Sequence, residues 1–169
     1  DIIIFADDSR TKERLRFVNL RNQVKRTNGE ANMALSDFIA PVGSGIKDYI
    51  GAFAVTTGIG IEEYVEEFLN DHDDYSSIVT KALADRLAEA FTELIHHQIR
   101  TKYWGYAPDE SITMEEMFLE KYQGIRPAHG YPACPDHSEK ETLWELLNAE
   151  ELTGIRLTET YSMYPGASV

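Results

Sequence analysis

One cysteine, Cys134, is the whole thiol content of this 169-residue chain. The chain can therefore form no intrachain disulfide. A four-thiolate zinc site and an iron–sulfur cluster are equally closed to it, so any metal would rest on histidine and carboxylates. Long apolar runs are also missing. The longest covers residues 49–55, far short of the roughly 18 residues a membrane helix needs, and residues 1–5 are too short for a signal-peptide core. The expectation is a soluble cytoplasmic protein with no membrane partner. Cationic residues are scarce: 16 Lys and Arg face 29 Asp and Glu, for a net charge of −13. That balance opposes phosphate backbones and argues against nucleic acid as a partner. The chain shows no internal repeat and no low-complexity tract.

A length of 169 residues with 43% hydrophobic content suits one folded unit with a substantial core. The charge is uneven within it. Residues 10–26 hold seven basic side chains (Arg10, Lys12, Arg14, Arg16, Arg21, Lys25, Arg26) against the single acid Glu13. Such a stretch can orient an acidic partner. It can also protect a strand edge from pairing.

β-Branched and aromatic residues gather in Ile2–Phe5, Leu15–Leu20, Leu35–Ile39 and Tyr49–Thr56, and predict strands of an antiparallel sheet. From Gly58 the pattern turns helical, with Tyr64, Val65, Phe68 and Leu69 on one face. Between Tyr75 and Tyr103 the residues Ile78, Val79, Ala82, Leu83, Leu87, Ala90, Phe91, Leu94 and Ile95 recur every three or four positions, which predicts one long helix with a broad buried stripe. Thr113-x-x-Glu116 and Ser138-x-x-Glu141 each match a capping box and predict shorter helices reaching about Tyr122 and Asn148. Arg156–Tyr161 reads as a last strand and Tyr164-Pro165-Gly166 as a turn. Strands first and helices later give an α+β domain: a twisted antiparallel sheet with flanking helices, one of them long and near the middle of the chain.

Between the two capping boxes lie residues 124–137, with three prolines and two glycines, which cannot form a regular element. Long irregular segments in compact domains are usually binding loops. Here Arg126 offers a planar fork of donors suited to a carboxylate, Gly130 allows close backbone approach, and Tyr131 carries a ring and a hydroxyl. The same residues also fit an arginine paired to a helix carboxylate beside a packed Gly-Tyr turn. Residue chemistry leaves both open.

The string IRPAHGYPACPDHSEK, with the upstream KALADRLAEAF and YWGYAPDE and the downstream MYPGASV, resembles the activation domain of cobalamin-dependent methionine synthase along essentially the whole chain. The resemblance implies that residues 1–169 are the central part of a domain that binds S-adenosyl-L-methionine. It implies a ligand site at Arg126, Ala128, Gly130 and Tyr131, with Glu89 of the long helix offsetting positive charge. It also implies a role: presenting the methyl donor for reductive reactivation of cob(II)alamin in a methyltransferase, with no catalytic residue of its own. Cobalamin would be held by a neighbouring domain of the same enzyme, zinc by another, and the electron would come from a flavodoxin or a methionine synthase reductase. The family's acidic-aromatic stretch upstream and its tyrosine pair downstream have no match here, so the resemblance implies a fragment lacking both ends, with an incomplete site and no catalysis alone.

Two other classes compete. A metal-dependent hydrolase could draw on His129, Cys134, Asp136 and His137, or on Glu93-x-x-His96, although one such helical pair falls short of a di-iron set. Cys134 with His137 could form a nucleophile and base, but a buried thiol is the commoner case. A protein-docking module that binds no ligand is the remaining alternative.

Overall fold

The computed structural model describes residues 1–27 and 29–169. Its backbone divides into two compact units: Asp1–Phe53, Pro127–Leu152 and Leu157–Ser162 in the first, and Ala54–Arg126, Thr153–Arg156 and Met163–Val169 in the second. The architecture is α+β with little sheet, as the sequence implied in class though not in extent. Among the described residues no helix is long and apolar enough to cross a membrane.

In the first unit, β1 (Ile2–Phe5) and β2 (Glu13–Phe17) pair antiparallel, with Ile2 opposite Phe17, Ile4 opposite Leu15 and a bulge at Ile4/Phe5. Ile2 and Phe17 are both buried, which fixes the register because a one-residue slip would expose them. The predicted strand 15–20 stops at Phe17. The predicted strand 35–39 is instead a 3-10 turn, Leu35–Phe38, because Asp37 folds back to accept from the Ala34 amide and from Arg21. Three of the seven cations in the basic stretch are paired with carboxylates. Arg16 pairs with Asp1 and Glu13, Arg21 with Asp37 and Arg26 with Glu30, while Arg10 donates to the Asp48 carbonyl; Lys12, Arg14 and Lys25 stay exposed.

A 3-10 turn, His137–Glu139, leads into α4 (Lys140–Leu147). The predicted Ser138 capping box does not form. Asp136 caps instead, accepting from the Ser138 amide and hydroxyl, because its carboxylate sits two residues ahead of the free amides and outcompetes a hydroxyl. The Glu139 carboxylate accepts from the Val18 amide and ties α4 to the end of β2. Asn148, at φ +50°, ends α4, and α5 (Ala149–Thr153) follows.

The second unit is helical. α1 (Ile61–Asn70) packs on α2 (Asp74–Gln98), which continues through a π-turn, Ile99–Tyr103, so the long helix appears where the periodicity placed it. Its buried side is not the predicted one. Ser77, Ala84, Ala88, Thr92 and His96 are buried, whereas Ile78, Leu83, Leu87, Phe91 and Leu94 are exposed. At Ala84 the approach is close: the Thr57 hydroxyl donates to its carbonyl at 2.7 Å, which a small side chain permits. Residues 49–56 do not form the predicted strand. Among the described residues their backbone pairing is seen at their end, where Val55 exchanges amide bonds with Val169 and Thr56 bridges Ser168. A five-residue helix, α3 (Met114–Phe118), carries the complete Thr113–Glu116 capping box but stops short of the expected Tyr122. Of the predicted final strand only Arg156–Leu157 (β3) remains, paired with Met163–Tyr164 (β4).

Candidate functional site

The residues singled out by sequence fall into the two units. Arg126 and Glu89 belong to the second, and Ala128, Gly130 and Tyr131 to the first.

In the second unit, the steps of four, three and four residues from Glu89 to Glu93, His96 and Arg100 set these four side chains on one face of α2 and its π-turn. Arg126 meets that face. Its Nη2 donates to Glu93 Oε1 at 2.5 Å, and its Nη1 donates to His96 Nδ1 at 3.3 Å. Glu89 is exposed one turn earlier and adds to the field that favours the Arg126 charge. Arg126 keeps 23% of its side chain exposed, and Glu93 18%. The Arg126 hydrogen bond holds the Glu93 carboxyl below the usual range, against the opposing effect of burial. His96 is pushed down to about 4, first by burial and then by the charges of Arg100 and Arg126. It is therefore neutral near pH 7, and because an arginine can only donate, its Nδ1 acts as acceptor.

One turn further along, Arg100 has no exposed surface. Its Nε and Nη2 clasp the two oxygens of Glu110 at 2.8 and 2.7 Å, its guanidinium lies 4.3 Å over the Tyr122 ring, and His97 joins Glu110 at 3.0 Å. His96 packs edge-on against the same tyrosine ring. A cleft of about 360 Å³ is lined by Asp109, Glu110, Lys121 and Tyr122 among others, but not by Arg126.

In the first unit, residues 128–134 close into a tight turn. The Gly130 amide donates to the Cys134 carbonyl, Tyr131 to Ala128 and Cys134 to Tyr131, and the Cys134 thiol donates to the Ala128 carbonyl. Gly130 has φ +97°, and a Cβ there would fall 2.1 Å from the His137 ring, so no other residue fits. Tyr131 leaves this turn 66% exposed. His129 stacks on Phe17.

Among the described residues no group of three His, Cys, Asp or Glu side chains could hold a metal ion. Burial raises the Cys134 thiol, the opposite of what a nucleophile needs.

Over residues 1–169 the sequence matches the family described as vitamin B12 dependent methionine synthase, activation domain. The chain belongs to that family. The fold agrees: it is similar to the crystal structure of the MetH reactivation domain bound to AdoHcy, with a TM-score of 0.92 and 54% identity over 99% of this chain. The chain spans 51% of the length of that relative.

For an activation domain, sequence reasoning missed the partners of Arg126. Glu93-x-x-His96 was visible, but as a metal-ligand spacing. The same spacing defines one helix face, and the cation that meets it is a guanidinium. Arg100 and Glu110 gave no signal, since ten residues and an irregular segment separate them.

Proposed function

We propose that this chain binds S-adenosyl-L-methionine as methyl donor for the reductive reactivation of cobalamin-dependent methionine synthase. The observation that carries this reading is the state of Arg126. Two of its five N–H groups are engaged by Glu93 and His96, and three are left to receive a carboxylate. The remaining residues fit the rest of the ligand. Glu89 carries an exposed negative charge suited to an amino group or sulfonium and Tyr131 an exposed ring and hydroxyl, whereas the space beside Gly130 is taken by the His137 ring, so its part would be to close the turn. The Ala128 carbonyl faces inward to Tyr131 and Cys134, so its part in binding would be to shape the turn. That the 54%-identical relative was crystallised with AdoHcy, the demethylated form of the same ligand, supports the reading.

In this role the chain supplies binding and orientation, and no side chain needs to act as nucleophile or base. Cobalamin, held elsewhere in the enzyme, would supply the metal that takes the methyl group. We assign as partners the cobalamin-binding domain and a flavodoxin or methionine synthase reductase. The exposed Lys12 and Arg14 are the cations of residues 10–26 most available to an acidic donor. Charge reversal at both should slow reductase association most at low salt, by stopped-flow mixing, and equal rates would remove this surface from consideration. The ligand reading is tested by calorimetric titration of S-adenosylmethionine into the full polypeptide that carries this chain. Saturable one-site binding is expected, and its absence would leave the docking-module alternative standing.

A further inference from the structure

The second unit contains two guanidinium–carboxylate pairs of different completeness. Glu110 uses both oxygens on Arg100, which is fully enclosed. Glu93 uses one oxygen on one terminal nitrogen of Arg126, and Arg126 stays partly exposed. The second Glu93 oxygen, Oε2, is buried and makes no hydrogen bond. Oε2 is thus turned into protein, and the carboxylate holds Arg126 through Oε1 alone.

We infer that Glu93 is a positioning residue for the ligand site: anchored on α2, it fixes the Arg126 guanidinium so that the uncommitted N–H groups are presented to the ligand's carboxylate. This inference rests on the reading that Arg126 receives that carboxylate. An arginine side chain has four flexible torsions, and ordering it before binding removes that entropic cost from the association. Glu93 supplies charge and a fixed origin on a 25-residue helix. His96 completes the hold through Nδ1 and, being neutral, adds no opposing charge. The contrary possibility is that Glu93 competes with the ligand for the guanidinium. A competitor would be placed where the ligand could displace it, with both oxygens turned to the exposed side, and Glu93 is not.

The test is a double-mutant cycle in the full polypeptide, read by calorimetric binding of S-adenosylhomocysteine, with circular dichroism to verify folding. E93Q keeps the shape and removes the charge. It should weaken binding about tenfold in the parent and have no further effect when Arg126 is already alanine, because Glu93 acts through Arg126. Restoring the charge at shorter reach, E93D should regain part of the loss. Unchanged or tighter binding by E93Q overturns the inference, and an equal loss in both backgrounds assigns Glu93 a merely structural role. Should E93Q fail to fold, E93D carries the cycle, with a several-fold loss expected only where Arg126 is present and no loss overturning the claim. Failure of the underlying reading looks different: the parent itself would not bind, or Arg126→Ala would bind as the parent does.

Discussion

Arg100 and Arg126 are both arginines held by a glutamate beside the same long helix, yet one is closed and the other open. Arg100 is sealed by a two-oxygen clasp and an aromatic ring. Arg126 is gripped from one side and exposed on another. A fully enclosed pair serves the fold, since losing either partner leaves a buried charge. A partly exposed pair keeps room for a third group. The two pairs therefore differ in exposure, none at Arg100 against 23% of the side chain at Arg126, not in residue type.

The sharpest break of the comparison is Glu110→Gln. It strands a fully buried guanidinium and should cost about 3–5 kcal/mol of stability in chemical denaturation. A loss no larger than that of Glu93→Gln would show that the two pairs are equivalent.

His96 lies between the two arginines, and its pKa gives the next effect. The folded value is about 4 against 6.5 for the unperturbed group. Between those values the unfolded chain binds a proton that the folded chain refuses. The stability associated with neutral His96 is thus complete above about pH 6.5 and falls away as the pH drops toward 4, by up to about 3 kcal/mol. His96→Gln should flatten that part of the stability–pH curve. A curve with the same slope in the variant would place the titration elsewhere. Below that window the Glu93 carboxyl, held low by Arg126, loses its own contribution as it protonates, which continues the decline.

Gly130→Ala sets the first unit's turn against these charged pairs. An alanine must accept φ +97° and displace the His137 ring, a cost of about 1–3 kcal/mol. Adding His137→Ala should relieve the clash but not the backbone strain. Full recovery in that double variant would mean that sterics alone select glycine. Smallest of all, Arg126→Ala should change stability by about 1 kcal/mol, because the open pair is partly solvated. A loss approaching that of Glu110→Gln would mean that Arg126 is a structural residue after all.

What the sequence revealed follows from how local each signal is. The long helix and the Thr113 capping box were legible because their determinants lie within a few residues. The buried face of α2 was not, since the periodicity marks large apolar side chains while the positions that are buried hold Ser77, Ala84, Ala88 and Thr92. Residues 35–39 and 49–56 have strand composition but no ladder partner along their length, and composition cannot supply one. For the proposed ligand residues, a motif picked out Arg126, Gly130 and Tyr131, and the pairing of Arg126 to a helix carboxylate was one of the two readings that chemistry left open. Which glutamate it meets depends on tertiary placement. Of the acids that pair with cations of residues 10–26, Asp1, Asp37 and Glu30 lie outside that stretch, so its local charge count overstates the free positive charge.

The most direct measurement is calorimetric titration of S-adenosylhomocysteine into the full polypeptide, parent against Arg126→Ala, with the melting temperature of each recorded in the same buffer. A charge-assisted contact to the ligand carboxylate is worth about 2–4 kcal/mol, so the substitution should weaken binding roughly 30- to 1,000-fold while the melting temperature moves by only a few degrees. Equal affinity in parent and variant would contradict the assignment of Arg126 as the carboxylate receptor, and with it the account of an open pair kept for a ligand.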